Sequence, residues 1–130
     1  MTQVKKKILI AEDDKDISMV LAMRLKFKGY DVIQAYNGED AWNLINDNPP
    51  NLAVIDMIMP KMNGDELCDM IKKDDKTKNI ILILLTALPQ KEAEALRDKF
   101  NINTCITKPY DDEDFINVIE NLLSESSMEN

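Results

Sequence analysis

Ile8-Leu9-Ile10-Ala11 leading into Glu12-Asp13-Asp14, and Leu52-Ala53-Val54-Ile55 leading into Asp56, are the two stretches on which the fold of this chain turns. Short apolar runs of this kind read as buried parallel strands, and in an open α/β sheet the ligand crevice lies at their carboxyl ends. Carboxylates at both exits then share one pocket. Such a pocket is strongly anionic, and mutual repulsion raises the cost of keeping every group ionised unless a cation sits among them. A hard divalent cation with oxygen ligands is the natural candidate.

Outward from these runs, strand and helix signals alternate with no internal repeat. A first helix is expected over 16–28, capped by Asp14 or Asp16 and stopped by Gly29, with Ile17, Val20, Leu21 and Leu25 as its core stripe. Residues 30–35 read as a strand. Asn37-Gly38 turns into a helix over 39–47, and Asn48-Pro49-Pro50 breaks that helix before the strand ending at Asp56. Pro60 and Gly64 punctuate the following loop. Further helices are expected over 64–74, 90–100 and 112–123, and further strands over 80–85 and 104–107. Five strands alternating with five helices imply a parallel sheet covered on both faces, because right-handed crossovers place helices there. Residues 1–124 are expected to form one domain, and the polar residues 125–130 a short disordered tail.

Composition narrows the function classes. The 130 residues carry 16 basic against 24 acidic side chains, a net charge of −8, and the basic runs are only Lys5-Lys6-Lys7 and Lys72-Lys73. A nucleic-acid footprint is therefore missing, and any DNA contact is expected to belong to a partner. Cys68 and Cys105 show no paired spacing, which points to a cytoplasmic protein. The apolar stretch after the basic start ends within four residues at Glu12, too short for a signal peptide or for membrane insertion. The absence of His removes the usual general base and the commonest transition-metal ligand.

The remaining strand exits bear on the acidic pocket. The run Ile80-Ile81-Leu82-Ile83-Leu84-Leu85 leads into Thr86-Ala87, and the last strand leads into Lys108-Pro109. If all exits share one edge, a hydroxyl and an ammonium join the carboxylates. That set suits phosphoryl transfer, with carboxylates holding a metal, the metal and Lys108 neutralising phosphoryl oxygens, and Thr86 donating a hydrogen bond to one of them. Asp56, alone at the end of a central strand, is the best-placed nucleophile. Each residue also has a plainer reading. Glu12-Asp13-Asp14 can open a helix, Asp56 can be a turn residue before Pro60, Lys108 can be solvated, and Thr86 can serve only the backbone. Their joint placement at four strand exits favours the shared site.

The segments ILIAEDD (8–14), AVIDMIMPKMNG (53–64), ILLTA (83–87) and CITKPY (105–110), in this order and spacing, resemble the receiver domain of two-component response regulators over residues 5–123. The type resembled is a single-domain receiver of the chemotaxis or sporulation-phosphorelay kind. The resemblance implies the flavodoxin-like strand order 2-1-3-4-5 shared by flavodoxin and chemotaxis receivers. It implies Asp56 as phosphoacceptor and Mg²⁺ held by Asp13, Asp56 and the backbone carbonyl of Ile58, with Glu12 acting through a metal-bound water. Thr86 and Lys108 would contact the phosphoryl group, and the Lys108-Pro109 bond would be cis. The implied donor is a phosphohistidine on a sensor histidine kinase or histidine phosphotransfer protein, and the output is a changed face, formed by the fourth helix, fifth strand and fifth helix, that meets a downstream protein target. The chemistry is self-directed, so the expectation is a switch and not an enzyme.

Three features qualify that picture. Receivers usually carry Tyr or Phe three residues before the lysine, where this chain has Cys105, so the usual aromatic switch is replaced by smaller repacking around the loop 86–90, with Tyr110 a candidate participant. Ile58 and Leu88 are bulky and apolar at positions that tune access of the attacking water, which predicts a long-lived aspartyl phosphate. Met19, Ala22 and Met23 widen the apolar surface of the first helix, a docking surface for the histidine-bearing bundle in receivers. Two alternatives stand beside the switch. A metal-dependent phosphatase with an aspartyl nucleophile would need a second acid where Ile58 stands, and a nucleotide or flavin binder would need a phosphate cradle where Glu12-Asp13-Asp14 repel phosphate. A receiver excised from a longer regulator or hybrid kinase has the same signature.

Overall fold

A computed structural model describes residues 5–128. Its elements alternate as β1 (Lys7–Ala11), α1 (Lys15–Phe27), β2 (Asp31–Ala35), α2 (Gly38–Asp47), β3 (Leu52–Asp56), α3 (Gly64–Lys73), β4 (Ile81–Thr86), α4 (Gln90–Phe100), β5 (Thr104–Thr107) and α5 (Asp112–Met128). The five strands form one parallel sheet in the order β2-β1-β3-β4-β5. This is the expected flavodoxin-like arrangement. β3 and β4 are buried along their whole length, which is why their sequences run apolar without alternation up to the last residue, Asp56 and Thr86.

The sheet separates two cores. On one face Leu9, Ala53, Ile55, Leu82 and Leu84 meet Ala41 and Ile45 of α2 and Leu67, Cys68 and Ile71 of α3. On the other, Ile8, Ile10, Val54, Ile83 and Leu85 meet Leu21 and Leu25 of α1 and Phe115, Ile116 and Ile119 of α5. Each Val, Leu, Ile or Phe among them contributes about 1.5–3 kcal/mol when fully buried, so both helical layers are held chiefly by apolar contact.

Local signals set the start and end of α1 and the start of α2. Asp14 caps α1 by accepting from the N–H groups of Asp16 and Ile17, and Gly29, at φ +99°, takes the left-handed turn that lets the chain enter β2. Asn37 caps α2 by accepting from the Asp40 N–H.

Two expectations are corrected. The buried stripe of α1 is Ser18, Leu21, Ala22 and Leu25, not Ile17, Val20, Leu21 and Leu25; Ile17 and Val20 are 43% and 46% exposed. The helix is rotated because Ser18 is satisfied inside, its hydroxyl accepting from Gln34 Nε2 on β2 at 2.9 Å, so a polar residue takes the inward place. At the other end of the chain, α5 runs to Met128, five residues past the expected end, because Ser124-Glu125-Ser126-Ser127 contains no Gly or Pro to stop it. Of the expected tail, residues 125–128 are therefore helical, and 129–130 lie outside the described residues.

Candidate functional site

The parallel register brings the four exits to one edge. Ala11 pairs with Ile55, Asp56 with Leu85, and Thr86 with Thr107. Beyond β1 the chain turns on the Glu12 N–H, which donates to the Ala35 carbonyl at 3.1 Å, and on Glu12 Oε2, which accepts from the Asp14 N–H at 3.1 Å. Glu12 is thereby folded into the edge and buried, whereas Asp13 is exposed.

Asp56, 6% exposed, ends β3, and the loop after it returns on itself through a Gly64 N–H to Met57 carbonyl bond of 2.7 Å. Gly64 comes so close that a Cβ there would collide with the Asp56 carbonyl oxygen. Only glycine lets α3 start against the back of Asp56. From β5 the chain crosses with a Lys108 N–H to Thr86 carbonyl bond of 2.7 Å, and the Lys108-Pro109 bond is cis as expected. Lys108 Nζ reaches Asp56 Oδ1 at 3.1 Å and Glu12 Oε1 at 3.8 Å. Thr86 is buried, and its Oγ1 accepts from the Leu88 N–H at 3.1 Å.

Charge is out of balance at this edge. Carboxylate oxygens of Glu12, Asp13 and Asp56 lie within 4.8 Å of one another, while Lys108 brings one positive charge. At an effective dielectric of about 20, two like charges at such a separation repel by roughly 3 kcal/mol. Burial above all pushes the Glu12 carboxyl up, to about 7; the Asp14 N–H opposes this, and the neighbouring Asp56 and Asp13 add to it. Glu12 Oε1 is buried without a hydrogen-bond partner, since its 3.8 Å approach to Lys108 is too long for one. An unsatisfied buried oxygen among clustered hard donors fits a divalent cation such as Mg²⁺.

Of the expected site residues, Glu12, Asp13, Asp56 and Lys108 converge on one edge, and Thr86 stands on the strand next to Asp56. The Ile58 side chain is 73% exposed, two residues beyond Asp56. Leu88 flanks the edge at 38% exposure. Asp14 takes no part beyond capping α1. Cys105 packs partly buried against the α2–α3 core, and burial pushes its thiol up. Tyr110 lies on the other side, its ring edge-on to Phe115 at 4.7 Å. Gly64 is the contributor that the sequence did not mark as part of the site: it was visible there as a junction residue, although Met62-Asn63-Gly64 places it at a helix start.

A doubly wound parallel sheet with two acidic exits, a threonine exit and a lysine exit on one edge defines the class of phosphoacceptor switch domains. Residues 8–120 match the response regulator receiver domain family, and the chain belongs to that family. Among curated proteins it is 32% identical, over 90% of its length, to the DNA-binding dual master transcriptional regulator RpaA of Synechocystis sp., covering 48% of that protein. It is 36% identical, over 92% of its length, to histidine kinase P4 of Formosa agariphila, covering 9% of that protein. The chain thus spans less than half the length of these relatives. Among solved structures, a CheY-like response regulator receiver domain protein from Methanospirillum hungatei superposes with a TM-score of 0.89 at 28% identity, covering 98% of this chain and all of the other. The signal receiver domain of a histidine kinase from Syntrophus aciditrophicus gives 0.84 at 30% identity, covering 92% and 91%.

Proposed function

We propose that this chain takes a phosphoryl group from a partner phosphohistidine onto Asp56 and converts that mark into a changed protein-binding face. The observation that carries the reading is the approach of Lys108 Nζ to Asp56 Oδ1 at 3.1 Å inside a cluster of three carboxylates. A carboxylate oxygen of Asp56 attacks phosphorus, the new O–P bond forms as the N–P bond of the donor breaks, and the electron pair leaves with the donor imidazole. Lys108 neutralises charge that develops on the phosphoryl oxygens, and Thr86 donates its hydroxyl proton to one of them. Mg²⁺, held by Asp13, Asp56 and the Ile58 carbonyl with Glu12 reaching it through water, would supply the remaining positive charge. Attack of water on phosphorus later returns phosphate and the free Asp56 carboxylate, so the chemistry acts on the protein itself and not on an external substrate.

The donor in this reading is a sensor histidine kinase or a histidine phosphotransfer protein. Its docking surface is α1, whose Ile17, Met19, Val20, Met23 and Phe27 are exposed, Phe27 at 91%. Such an apolar stripe on a surface helix suits a helical bundle. The output face is α4, β5 and α5, and its target is a downstream protein; direct DNA contact is left to other domains or partners, in line with the net charge of −8. The receiver unit is assigned to the run from β1 through the end of α5, which passes the expected boundary at residue 124, and the setting to the cytoplasm on the strength of two free cysteines, one buried and one half-buried. Among the described residues no helix is long and apolar enough to cross a membrane.

The test is incubation with Mg²⁺ and acetyl phosphate, followed by intact mass and size-exclusion chromatography on wild type and Asp56→Asn. One added phosphoryl group on wild type alone is expected, and a coincident size change would assign self-association to the output. No addition to wild type defeats the proposal.

A further inference from the structure

Thr107 carries a feature that the phosphoryl chemistry leaves unused. The residue is half-buried on the edge strand β5, yet its Oγ1 is buried and has no hydrogen-bond partner among the described residues. An unsatisfied buried hydroxyl is unfavourable, and valine, of the same shape and well suited to strands, would occupy the position without that cost. A polar group retained there calls for a second state in which it is satisfied.

The neighbourhood offers that state. Thr107 and Thr86 are direct partners in the β4–β5 ladder, so their side chains leave the same face of the sheet side by side. The loop to α4 begins immediately after Thr86, and its Leu88 N–H donates to Thr86 Oγ1 at 3.1 Å. Asp56 stands on β3, across β4 from Thr107. A Thr86 hydroxyl that turns toward a phosphoryl group on Asp56 therefore turns away from β5 and releases the Leu88 N–H. The ladder partner of Thr86, Thr107, offers a buried hydroxyl with no other hydrogen bond as an alternative acceptor.

We propose that Thr107 is a positioning residue of the switch, whose hydroxyl accepts the Leu88 N–H when Thr86 turns to the phosphoryl group and so draws the loop after β4 toward β5. The inference rests on the phosphoacceptor reading of Asp56. It supplies a route from the site to α4 and β5 that needs no aromatic ring, in a chain that has Cys105 where receivers usually carry one.

The experiment compares wild type, Thr107→Val and Thr107→Ser by NMR hydrogen exchange of the Leu88 amide, with and without Mg²⁺ and beryllofluoride as phosphoryl mimic. In wild type and Thr107→Ser the amide stays protected in both states. In Thr107→Val it is protected at rest and exchanges roughly tenfold faster with the mimic bound, as expected for a lost hydrogen bond. At rest Thr107→Val melts no lower than wild type, because the hydroxyl it lacks was unpaired. Equal exchange in wild type and Thr107→Val with the mimic bound, slow or fast, overturns the handover, as does a lower melting point of Thr107→Val at rest. Phosphorylation of wild type by acetyl phosphate, read by mass, separates the two ideas: absence of label defeats the Asp56 reading, whereas label with unchanged Leu88 exchange defeats only the role of Thr107.

Discussion

Ile58 and Leu88 stand in the open around an acceptor that is itself nearly closed off. Asp56 is 6% exposed, while Ile58 two residues later presents 73% of its surface and Leu88 38%. Neither side chain can hydrogen-bond a water aimed at phosphorus, and both are bulky, so attack on an aspartyl phosphate is expected to be slow for lack of a positioning group. We expect the label on Asp56 to outlast a manual time course, and Ile58→Asn to shorten its lifetime roughly tenfold, equivalent to about 1.4 kcal/mol of barrier. Decay of radiolabel or intact mass with time measures both; complete loss from wild type at the first manual time point would sink the idea. At this scale the residues that converge on the acidic edge were readable from sequence because residue type and strand end coincide: a carboxylate after Ile55, a hydroxyl after Leu85, an ammonium before Pro109. Gly64 and Thr107 were not readable in the same way. The role of Gly64 depends on a loop folding back onto the Asp56 carbonyl, and that of Thr107 on which residue of β4 lies beside it, and neither contact leaves a local pattern.

Among the elements, α1 differs most from its expected form, and the difference enlarges a surface. With Ser18 and Ala22 turned inward, Ile17 and Val20 join Met19, Met23 and Phe27 on the outside. Arg24 and Lys28 meanwhile pair with Asp112 and Glu120 of α5, at 3.6 and 4.0 Å, tying the two helices together at the rim of that apolar stripe. These exposed pairs add little stability; the position of α5 beside the stripe is set by Phe115, Ile116 and Ile119 in the core shared with Leu21 and Leu25. Met19→Glu is expected to slow transfer from the cognate phosphohistidine donor by roughly fivefold or more, the effect of about 1 kcal/mol at an interface. Labelling by acetyl phosphate should be unchanged, and equal loss of both reactions would refute docking on α1. Element borders elsewhere were legible where a cap or breaker marks them, as with Asp14, Gly29 and Asn37. They failed at the end of α5, where no residue signals a stop, and on the face of α1, where apolar periodicity cannot foresee that Gln34 will satisfy a buried serine.

For the molecule as a whole, the acidic edge sets a conflict between function and stability that pH exposes. The Glu12 carboxyl is pushed up from 4.5 to about 7, mainly by burial, so the native state holds a proton that the unfolded chain has already lost in that interval. Stability falls with rising pH wherever the native state binds more protons, hence metal-free protein loses stability as pH rises from about 4.5 to about 7 and is flat in this contribution above it. The size of the effect is on the order of 1–3 kcal/mol. Glu12→Gln keeps an oxygen for the Asp14 N–H and leaves Lys108 its shorter contact with Asp56, while removing the charge that must be buried. In chelator at pH 8, Glu12→Gln is therefore expected to be more stable than wild type, with the difference vanishing near pH 4. Saturating Mg²⁺ should restore much of the wild-type deficit, because a cation that binds only the folded state stabilises it by mass action. Urea titrations of both proteins across this pH range, with and without Mg²⁺, isolate the Glu12 contribution as a difference, since every other titrating group is common to the pair. A wild type whose stability relative to Glu12→Gln stays constant or rises between pH 5 and 7 would show that the Glu12 carboxylate is not held against the cost of its burial at this edge.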